Sequence, residues 1–159
     1  MADPTTDPRI TAFEPPVPAA LTRELFAFWQ EIFRTDYDPF RGILAGAESA
    51  RNRDIFYLIR DGRKLAGTCH LTISRTNPEL GGLGEVATAP EFRGAGIGSR
   101  MSARARDDFR AAGGRAIFLC TINPTAARLY GRLGWQKLPG ANVMVWLASE
   151  RPPESFPAD

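Results

Sequence analysis

A glycine-rich segment between an apolar run and a helical pattern is the feature that most restricts how this chain can fold. Residues 93–98 are Arg-Gly-Ala-Gly-Ile-Gly, and Val86-Ala87-Thr88 precede them with the composition of a strand. Apolar residues then recur at three- and four-residue spacing, which predicts a helix over about 96–112. Glycines let a backbone approach a ligand closely, and a helix N-terminus carries about half a unit of positive charge. The order of strand, glycine turn and helix therefore predicts a site for a phosphate-bearing ligand.

Length and charge are those of a single globular domain. The chain has 159 residues, 43% of them hydrophobic, and no apolar run approaches the roughly 20 residues of a membrane span. The net charge of +2 is too small to indicate a nucleic-acid partner. Residues 1–8 do not have the pattern of a signal peptide. We expect a disordered tail at 1–8, one domain at 9–150, a proline-rich tail at 151–159, and a cytoplasmic protein with no membrane partner.

The two cysteines, Cys69 and Cys120, lack metal-ligand spacing and lie within apolar runs. We expect both to be buried free thiols, and we expect no metal site.

Local patterns predict the other elements. Before the glycines we expect a strand at 9–13, helices at 21–33 and 43–52, a hairpin of strands 54–60 and 64–75 around Asp61-Gly62, a turn-rich break at 77–82, and a strand at 85–88. After them, Gly113-Gly114 predicts a helix end and 116–120 is typical of a central strand. Asn123-Pro124 is typical of a helix start, Gly134 of its end, and 143–147 of a last strand.

Two segments form a recognisable pair of motifs. In residues 86–98, Arg93, Gly96 and Gly98 form Arg-x-x-Gly-x-Gly at a strand-to-helix turn. In residues 123–135, Asn123 is followed by Tyr130 seven residues later and then by a glycine and an aromatic residue. Together they resemble the GNAT superfamily of acyl-coenzyme A-dependent N-acetyltransferases. The resemblance is specific over 82–135 and extends in element order from about 54 to 147.

The resemblance implies an α/β (α+β) fold with a mixed, mostly antiparallel central sheet and helices on both faces. Strands 4 and 5 would splay apart around the pantetheine of acetyl-coenzyme A (acetyl-CoA), the implied co-substrate. Val86, Ala87 and Thr88 would offer backbone groups to pantetheine. The pyrophosphate would lie at Arg93, Gly94, Ala95, Gly96, Ile97, Gly98 and Ser99. Asn123 would bond the cofactor chain, and Tyr130 would face the thioester sulfur.

The implied reaction is direct attack of a primary amine on acetyl-CoA within a ternary complex. The acceptor would be a small-molecule or peptide amine, and the resemblance allows a homodimer. An amine of pKa about 10.4 is only about 0.04% neutral at pH 7, so a base or a chain of waters must remove its proton. Glu85 and His70 are the candidates, although a surface carboxylate and a half-buried structural histidine remain open interpretations. Tyr130 could donate a hydrogen bond to the leaving thiolate.

Other interpretations of these residues remain open. A dinucleotide-binding fold also has a glycine turn, but it expects an acidic residue at the end of the next strand, where this chain has Leu-Cys-Thr. A module that binds acyl-CoA without turnover is the alternative function. Asn123 could act only as a helix cap and Tyr130 only as core. Trp29, Phe33, Tyr37 and Phe40 are expected to be mostly core, although the loop at 37–40 could line an acceptor pocket.

Overall fold

The computed structural model describes Asp7 and residues 9–148. The fold of this part of the chain is built on one mixed sheet of seven strands. Its order is β1-β2-β3-β4-β5-β7-β6, and neighbouring strands are antiparallel except for β4 and β5. The strands are β1 (Ile10–Phe13), β2 (Asn52–Asp61), β3 (Lys64–Ser74), β4 (Leu80–Thr88), β5 (Ala116–Cys120), β6 (Gln136–Lys137) and β7 (Val143–Leu147).

Four α-helices lie among these strands in the described part of the chain. They are α1 (Ala19–Phe33), α2 (Arg41–Leu44), α3 (Ile97–Ala111) and α4 (Pro124–Arg132), with 3-10 turns at Asp38–Phe40 and Pro90–Phe92. None of them is long and apolar enough to cross a bilayer. Apart from Asp7, the tails predicted at 1–8 and 151–159 lie outside the described residues.

Each face of the sheet has its own hydrophobic cluster, because successive side chains of a strand point to opposite faces. In β2, Tyr57 and Ile59 pack in the cluster that contains residues of α3 and α4. Phe56 and Leu58 pack in the other cluster, with Trp29 and other residues of α1. Helices therefore cover both faces, and the predicted fold class is confirmed.

The pairing between β4 and β5 is short. It consists of Leu80–Gly82 against Ala116–Phe118, in parallel register. Beyond Gly82, β4 continues to pair with β3 on its other side. The two strands thus part at the carboxyl end of β4, which is the splay expected from the resemblance.

Two predicted elements differ from those observed, and one observed strand was not expected. The helix predicted at 43–52 ends at Leu44, because Gly46 adopts φ +93° and the chain then makes turns into β2. The break predicted at 77–82 overlaps β4, which begins at Leu80. Its glycines suggested a loop, but a Cβ at Gly81 would lie 3.0 Å from the ring of Phe109, so glycine permits close packing of α3. The short β6 was not predicted.

Two burial predictions are also wrong. Cys120 is exposed, whereas Cys69 is buried as expected. Phe118 and Cys120 alternate with the buried Ile117 and Leu119, so they lie on the face of β5 that is less covered at this end. Phe33 is 37% exposed because it is the last residue of α1.

Candidate active site

The glycine turn joins β4 to α3 with an open backbone. Gly94 and Gly96 have φ of +85° and +76°, left-handed values that favour glycine. Gly96 is the N-cap of α3, and within residues 9–148 no side chain caps the helix. A Cβ placed on Gly94 or Gly96 would find no protein atom within 4 Å. An uncapped helix start beside open space suits an anion, because its N–H groups need an acceptor.

The residues around this turn are held by packing. Ile97 is 5% exposed, and a Cβ at Gly67 of β3 would lie 2.6 Å from its Cγ2 atom, so Ile97 anchors the start of α3 on the sheet. Arg93 Nε donates to the Thr88 carbonyl at 3.3 Å. A Cβ at Gly98 would meet Leu129 of α4 at 3.6 Å, so α4 also borders the turn. Ile97 can therefore offer a ligand its backbone, and its side chain belongs to the core.

Asn123 is the N-cap of helix α4, and Tyr130 lies within that helix. The Asn123 side-chain oxygen accepts the Thr125 and Ala126 N–H groups at 2.9 and 3.5 Å, so Asn123 caps the helix. This leaves its amide N–H₂ group as a potential donor. The capping interpretation is confirmed, and a second role toward a ligand stays a prediction.

Tyr130 is 8% exposed and packs edge-on against Trp135, with ring centroids 6.0 Å apart. Burial, with a smaller contribution from Cys69, raises the pKa of Tyr130 above 10, so its hydroxyl stays protonated. Among residues 9–148 that hydroxyl has no hydrogen-bond partner. Tyr130 is both a core residue and a donor that remains available.

His70 and Glu85 belong to one hydrogen-bonded unit. His70 Nδ1 lies 2.9 Å from Glu85 Oε2, and His70 Nε2 lies 2.8 Å from Asp54 Oδ1. Thr72 Oγ1 donates to the same Asp54 oxygen at 2.9 Å. The side chains of Asp54 and His70 are 4% and 7% exposed, and that of Glu85 is 14% exposed. Glu85 is thus the most exposed of the three, and His70 is buried rather than half-buried.

The protonation of this unit follows from its contacts. Burial opposes a charge on His70, but the hydrogen bonds to Asp54 and Glu85 outweigh it and raise the pKa of His70 above 6.5. Each ring nitrogen faces a carboxylate, which can only accept when ionised, so the contacts favour the imidazolium form, in which both nitrogens donate. The carboxylates lie at opposite edges of the ring. They do not converge on one point, and the described residues contain no group that could hold a metal ion.

A bulge in β4 places Glu85 in this unit. Thr68 pairs with Ala87 and His70 pairs with Gly84, so two residues of β4 lie opposite one residue of β3. Glu85 has φ +45°, which costs a residue with a Cβ about 1–2 kcal/mol. Strain of this kind persists only where surrounding contacts impose it.

A cleft of about 290 Å³ opens beside the unit. Three carboxylates line it, from Glu48, Asp54 and Glu85, and within residues 9–148 they outnumber the single cationic group, the His70 ring. Its apolar lining consists of Phe40, Ile43 and Leu83. No arginine or lysine lines the cleft among the residues that the structure describes. The partner of Glu48 is Arg51, at 3.8 Å, and the Arg51 side chain is 83% exposed. The cleft is therefore acidic, with an apolar wall.

The loop at 37–40 borders the cleft, in agreement with the interpretation that it could line a pocket. Phe40 lines the cleft and lies edge-on to His70, with ring centroids 6.1 Å apart. Tyr37 is buried in the aromatic cluster. Burial and the Glu85 charge raise the pKa of Tyr37 to about 12, so Tyr37 stays protonated near neutral pH.

Sequence reasoning missed Asp54. A signal was present: Asp54 shares one strand face with Phe56 and Leu58, so a carboxylate falls on an inward face. The hairpin register pairs Asp54 with Thr72 and Phe56 with His70, which makes Asp54 and His70 diagonal neighbours. A register shift between Ile59 and Arg60 sets this pairing, and no pattern in the sequence predicts that shift.

Comparisons with known proteins agree with this architecture. The model of the acetyltransferase (GNAT) family matches residues 19–135. The acetyltransferase of the GNAT family from Staphylococcus aureus Mu50 is 17% identical, with a TM-score of 0.66 over 88% of this chain and 99% of that chain. The ribosomal-protein-S18-alanine N-acetyltransferase from Escherichia coli is 14% identical, with a TM-score of 0.67 over 92% and 99%.

A GNAT family acetyltransferase from Brucella melitensis, solved in complex with acetyl-CoA, is 18% identical, with a TM-score of 0.62 over 91% of each chain. At these identities the structures show a shared fold. No curated protein matches the sequence. The family match covers most of the chain and includes the glycine turn and α4, and on that basis the chain belongs to the GNAT acetyltransferase family.

Proposed function

We propose that this chain is an N-acetyltransferase that transfers acetyl from acetyl-CoA to a primary amine by direct attack in a ternary complex. One observation carries the proposal: β4 brings Glu85 to the acidic cleft, and the chain then leads through the 3-10 turn at Pro90–Phe92 into the open glycine turn. A candidate base and a candidate anion site thereby follow each other along one segment of the chain. The fold shared with the Brucella melitensis structure, which holds acetyl-CoA, supports the choice of acyl donor.

The open turn fits the diphosphate of acetyl-CoA. The N–H groups at Gly94, Gly96 and Gly98 and the start of α3 would hold the diphosphate, with Ala95, Ile97 and Ser99 offering backbone groups and Arg93 adding positive charge. Val86, Ala87 and Thr88 would bond the pantetheine through their backbone, because beyond Gly82 their strand has no ladder with β5. Bound acetyl-CoA supplies an acetyl thioester, and Asn123 would donate its amide N–H to the pantetheine chain.

Glu85 is our candidate for the base. Its carboxylate is the most exposed member of the unit and lines the cleft. As an imidazolium, His70 would donate from both ring nitrogens and would have no lone pair with which to take a proton from an acceptor. His70 and Asp54 would instead hold the Glu85 carboxylate in place, and Glu85 would receive the proton that the attacking amine loses.

Tyr130 would donate a hydrogen bond as the thiolate leaves. Its raised pKa makes full proton transfer to the thiolate, whose conjugate thiol has a pKa of about 8.5, more unfavourable, so the hydroxyl acts as a donor that stabilises developing charge. The acidic cleft favours an acceptor that arrives as an ammonium ion and carries no carboxylate of its own. Small-molecule and peptide amines both have this chemistry.

The test combines binding with turnover. Calorimetry should show that acetyl-CoA binds and NAD does not, and at 100 times Kd acetyl-CoA should add about 2.7 kcal/mol to the free energy of unfolding. Release of coenzyme A thiol should then be measured with three amines of similar length: butane-1,4-diamine, n-butylamine and 4-aminobutanoate. We expect 4-aminobutanoate to be the poorest acceptor, since its carboxylate would enter an acidic cleft.

The outcomes separate the candidate functions. Binding of NAD without binding of acetyl-CoA would disprove the proposal. Binding of acetyl-CoA with no acceleration of thiol release by these or other amines would favour an acyl-CoA-binding module.

A further inference from the structure

The backbone carbonyl of Glu85 is bonded by one buried side chain, Thr68, which is bonded in turn by a second, Trp29. The proposed chemistry uses neither of them. Thr68 Oγ1 lies 2.7 Å from the Glu85 carbonyl oxygen, and Trp29 Nε1 lies 2.9 Å from Thr68 Oγ1. Thr68 is 1% exposed and Trp29 is fully buried. This pair of hydrogen bonds connects α1, through β3, to the bulge of β4.

The direction of both bonds is fixed by chemistry. An indole N–H can only donate, so Thr68 Oγ1 is the acceptor in its bond with Trp29. A carbonyl oxygen can only accept, so the single hydroxyl proton of Thr68 is directed at Glu85. The bond from Trp29 therefore orients the Thr68 hydroxyl so that its proton points to the carbonyl of Glu85, the residue with the strained backbone.

The Trp29 ring is itself fixed by an aromatic cluster. Its ring centroid lies between 5.1 and 6.4 Å from those of four neighbours, Phe26, Tyr37, Phe40 and Phe56. Phe56 also stacks on His70, with centroids 4.2 Å apart, and Phe40 lies edge-on to it. The same cluster thus holds Glu85 at two points: its carbonyl through Thr68 and its carboxylate through His70.

We propose that Thr68, oriented by Trp29, is a positioning residue that holds Glu85 in its left-handed conformation and so aims its carboxylate at the cleft. Without the hydroxyl, the Glu85 carbonyl loses its bond to Thr68, and a return of Glu85 from φ +45° to an ordinary backbone region becomes easier. That rotation would carry the carboxylate away from His70. The inference rests on the proposed function, in which Glu85 takes the proton of the acceptor.

Three variants test the role of the hydroxyl. Thr68→Val keeps the shape of the side chain and removes the hydroxyl, and Thr68→Ser restores it. Thr22→Val is the matched control, because Thr22 is also buried, lies in α1, and donates to a backbone carbonyl, that of Val17, away from the cleft. Kinetics are measured with acetyl-CoA and the best of the three amines named above.

We expect Thr68→Val to lower kcat by about 10- to 100-fold, the scale of a small displacement of a reacting group. The KM for acetyl-CoA should change little, and the acidic limb of the pH profile should move. Thr68→Ser should stay within about twofold of wild type, and Thr22→Val should lose stability without a change in kcat or profile. A Thr68→Val enzyme that is less stable but has the wild-type kcat and profile would show that Thr68 is only structural.

A spectroscopic measurement separates this inference from the proposed function. The Val86 amide shares a peptide group with the Glu85 carbonyl, so its ¹⁵N–¹H resonance reports the bond from Thr68. It should shift in Thr68→Val and return in Thr68→Ser; an unshifted resonance would overturn the inference even if the enzyme is active. If wild type releases no thiol with any amine while the resonance shifts, the proposed function fails and the hold on the bulge stands. If Thr68→Val does not fold, Trp29→Phe, which removes the orienting N–H together with part of the indole ring, takes its place in both measurements.

Discussion

The imidazole of His70 lies flat against the ring of Phe56, with centroids 4.2 Å apart and an interplanar angle of 14°. With carboxylates bonded to both of its ring nitrogens, the ring cannot turn without breaking contacts on its face and at two edges. The ring is therefore a fixed support, and Glu85 remains our candidate for the group that exchanges protons with an acceptor.

Glu85→Gln should lower kcat/KM by about 10²–10⁴ and abolish the acidic limb of its pH profile, because an amide cannot accept the proton. His70→Ala should have a smaller effect on kcat/KM and should shift the limb, since the base remains but loses its support. Both are measured as kcat/KM against pH. Glu31→Gln, at an exposed position on α1, is the control for loss of one negative charge. Profiles like that of wild type in both site variants would remove Glu85 and His70 from the acid–base chemistry.

Stability should depend on pH through His70. Its pKa is raised above the unfolded value of about 6.5, so its protonated form stabilises the fold. This contribution is fully present below about pH 6.5 and is lost as the pH rises through the higher folded-state pKa. Urea unfolding from about pH 5.5 to about 9 should show the free-energy difference between wild type and His70→Gln shrinking with pH. A constant or growing difference would contradict an imidazolium at this position.

Gly96→Val should abolish acetyl-CoA binding in a folded protein, because its side chain would fill the space beside the start of α3. Valine is also strained at φ +76°, which by itself would destabilise the turn. Gly140→Val is the matched control, since Gly140 has φ +72° and equally open surroundings. Arg93→Ala should weaken binding less, as the backbone donors remain. Titration calorimetry decides, and equal affinity in Gly96→Val and Gly140→Val would place the phosphates elsewhere.

Tyr130→Phe should lower kcat by about 10²–10³ with little change in acetyl-CoA affinity, because it removes a donor that matters most in the transition state. Its stability should be close to that of wild type, since no residue in 9–148 bonds this hydroxyl. Tyr57→Phe is a useful contrast, because Tyr57 Oη donates to Asp108 at 2.9 Å, and its loss should lower stability and spare kcat. A wild-type kcat in Tyr130→Phe, measured where chemistry is rate-limiting, would show that Tyr130 serves only in core packing.

Sequence patterns predicted those parts of the fold that local chemistry determines. The Asp61-Gly62 hairpin, the Asn123 cap and the glycine turn each depend on residues close together in the chain, and each was found. The start of β4 was missed because its glycines serve tertiary packing: Gly81 makes room for the ring of Phe109.

The site residues also divide into those that local sequence predicts and those that depend on the assembled sheet. Glu85 and His70 could be proposed one at a time, as a strand carboxylate and a lone histidine. Their union with Asp54 depends on two register shifts, one between β2 and β3 and one between β3 and β4. A one-residue shift decides which face a side chain occupies, and it is set by the assembled sheet rather than by any local pattern.

The short pairing of β4 with β5 gives this strand two kinds of amide. Along a strand, successive N–H groups point alternately to its two neighbours. Past Gly82, those that point to β3 remain in a ladder, and those that point to β5 do not. Deuterium should therefore enter residues 83–88 in alternating fast and slow positions, interrupted at the bulge, and a molecule seated in the gap would slow only the fast ones. The strand then reports, amide by amide, when the gap is filled.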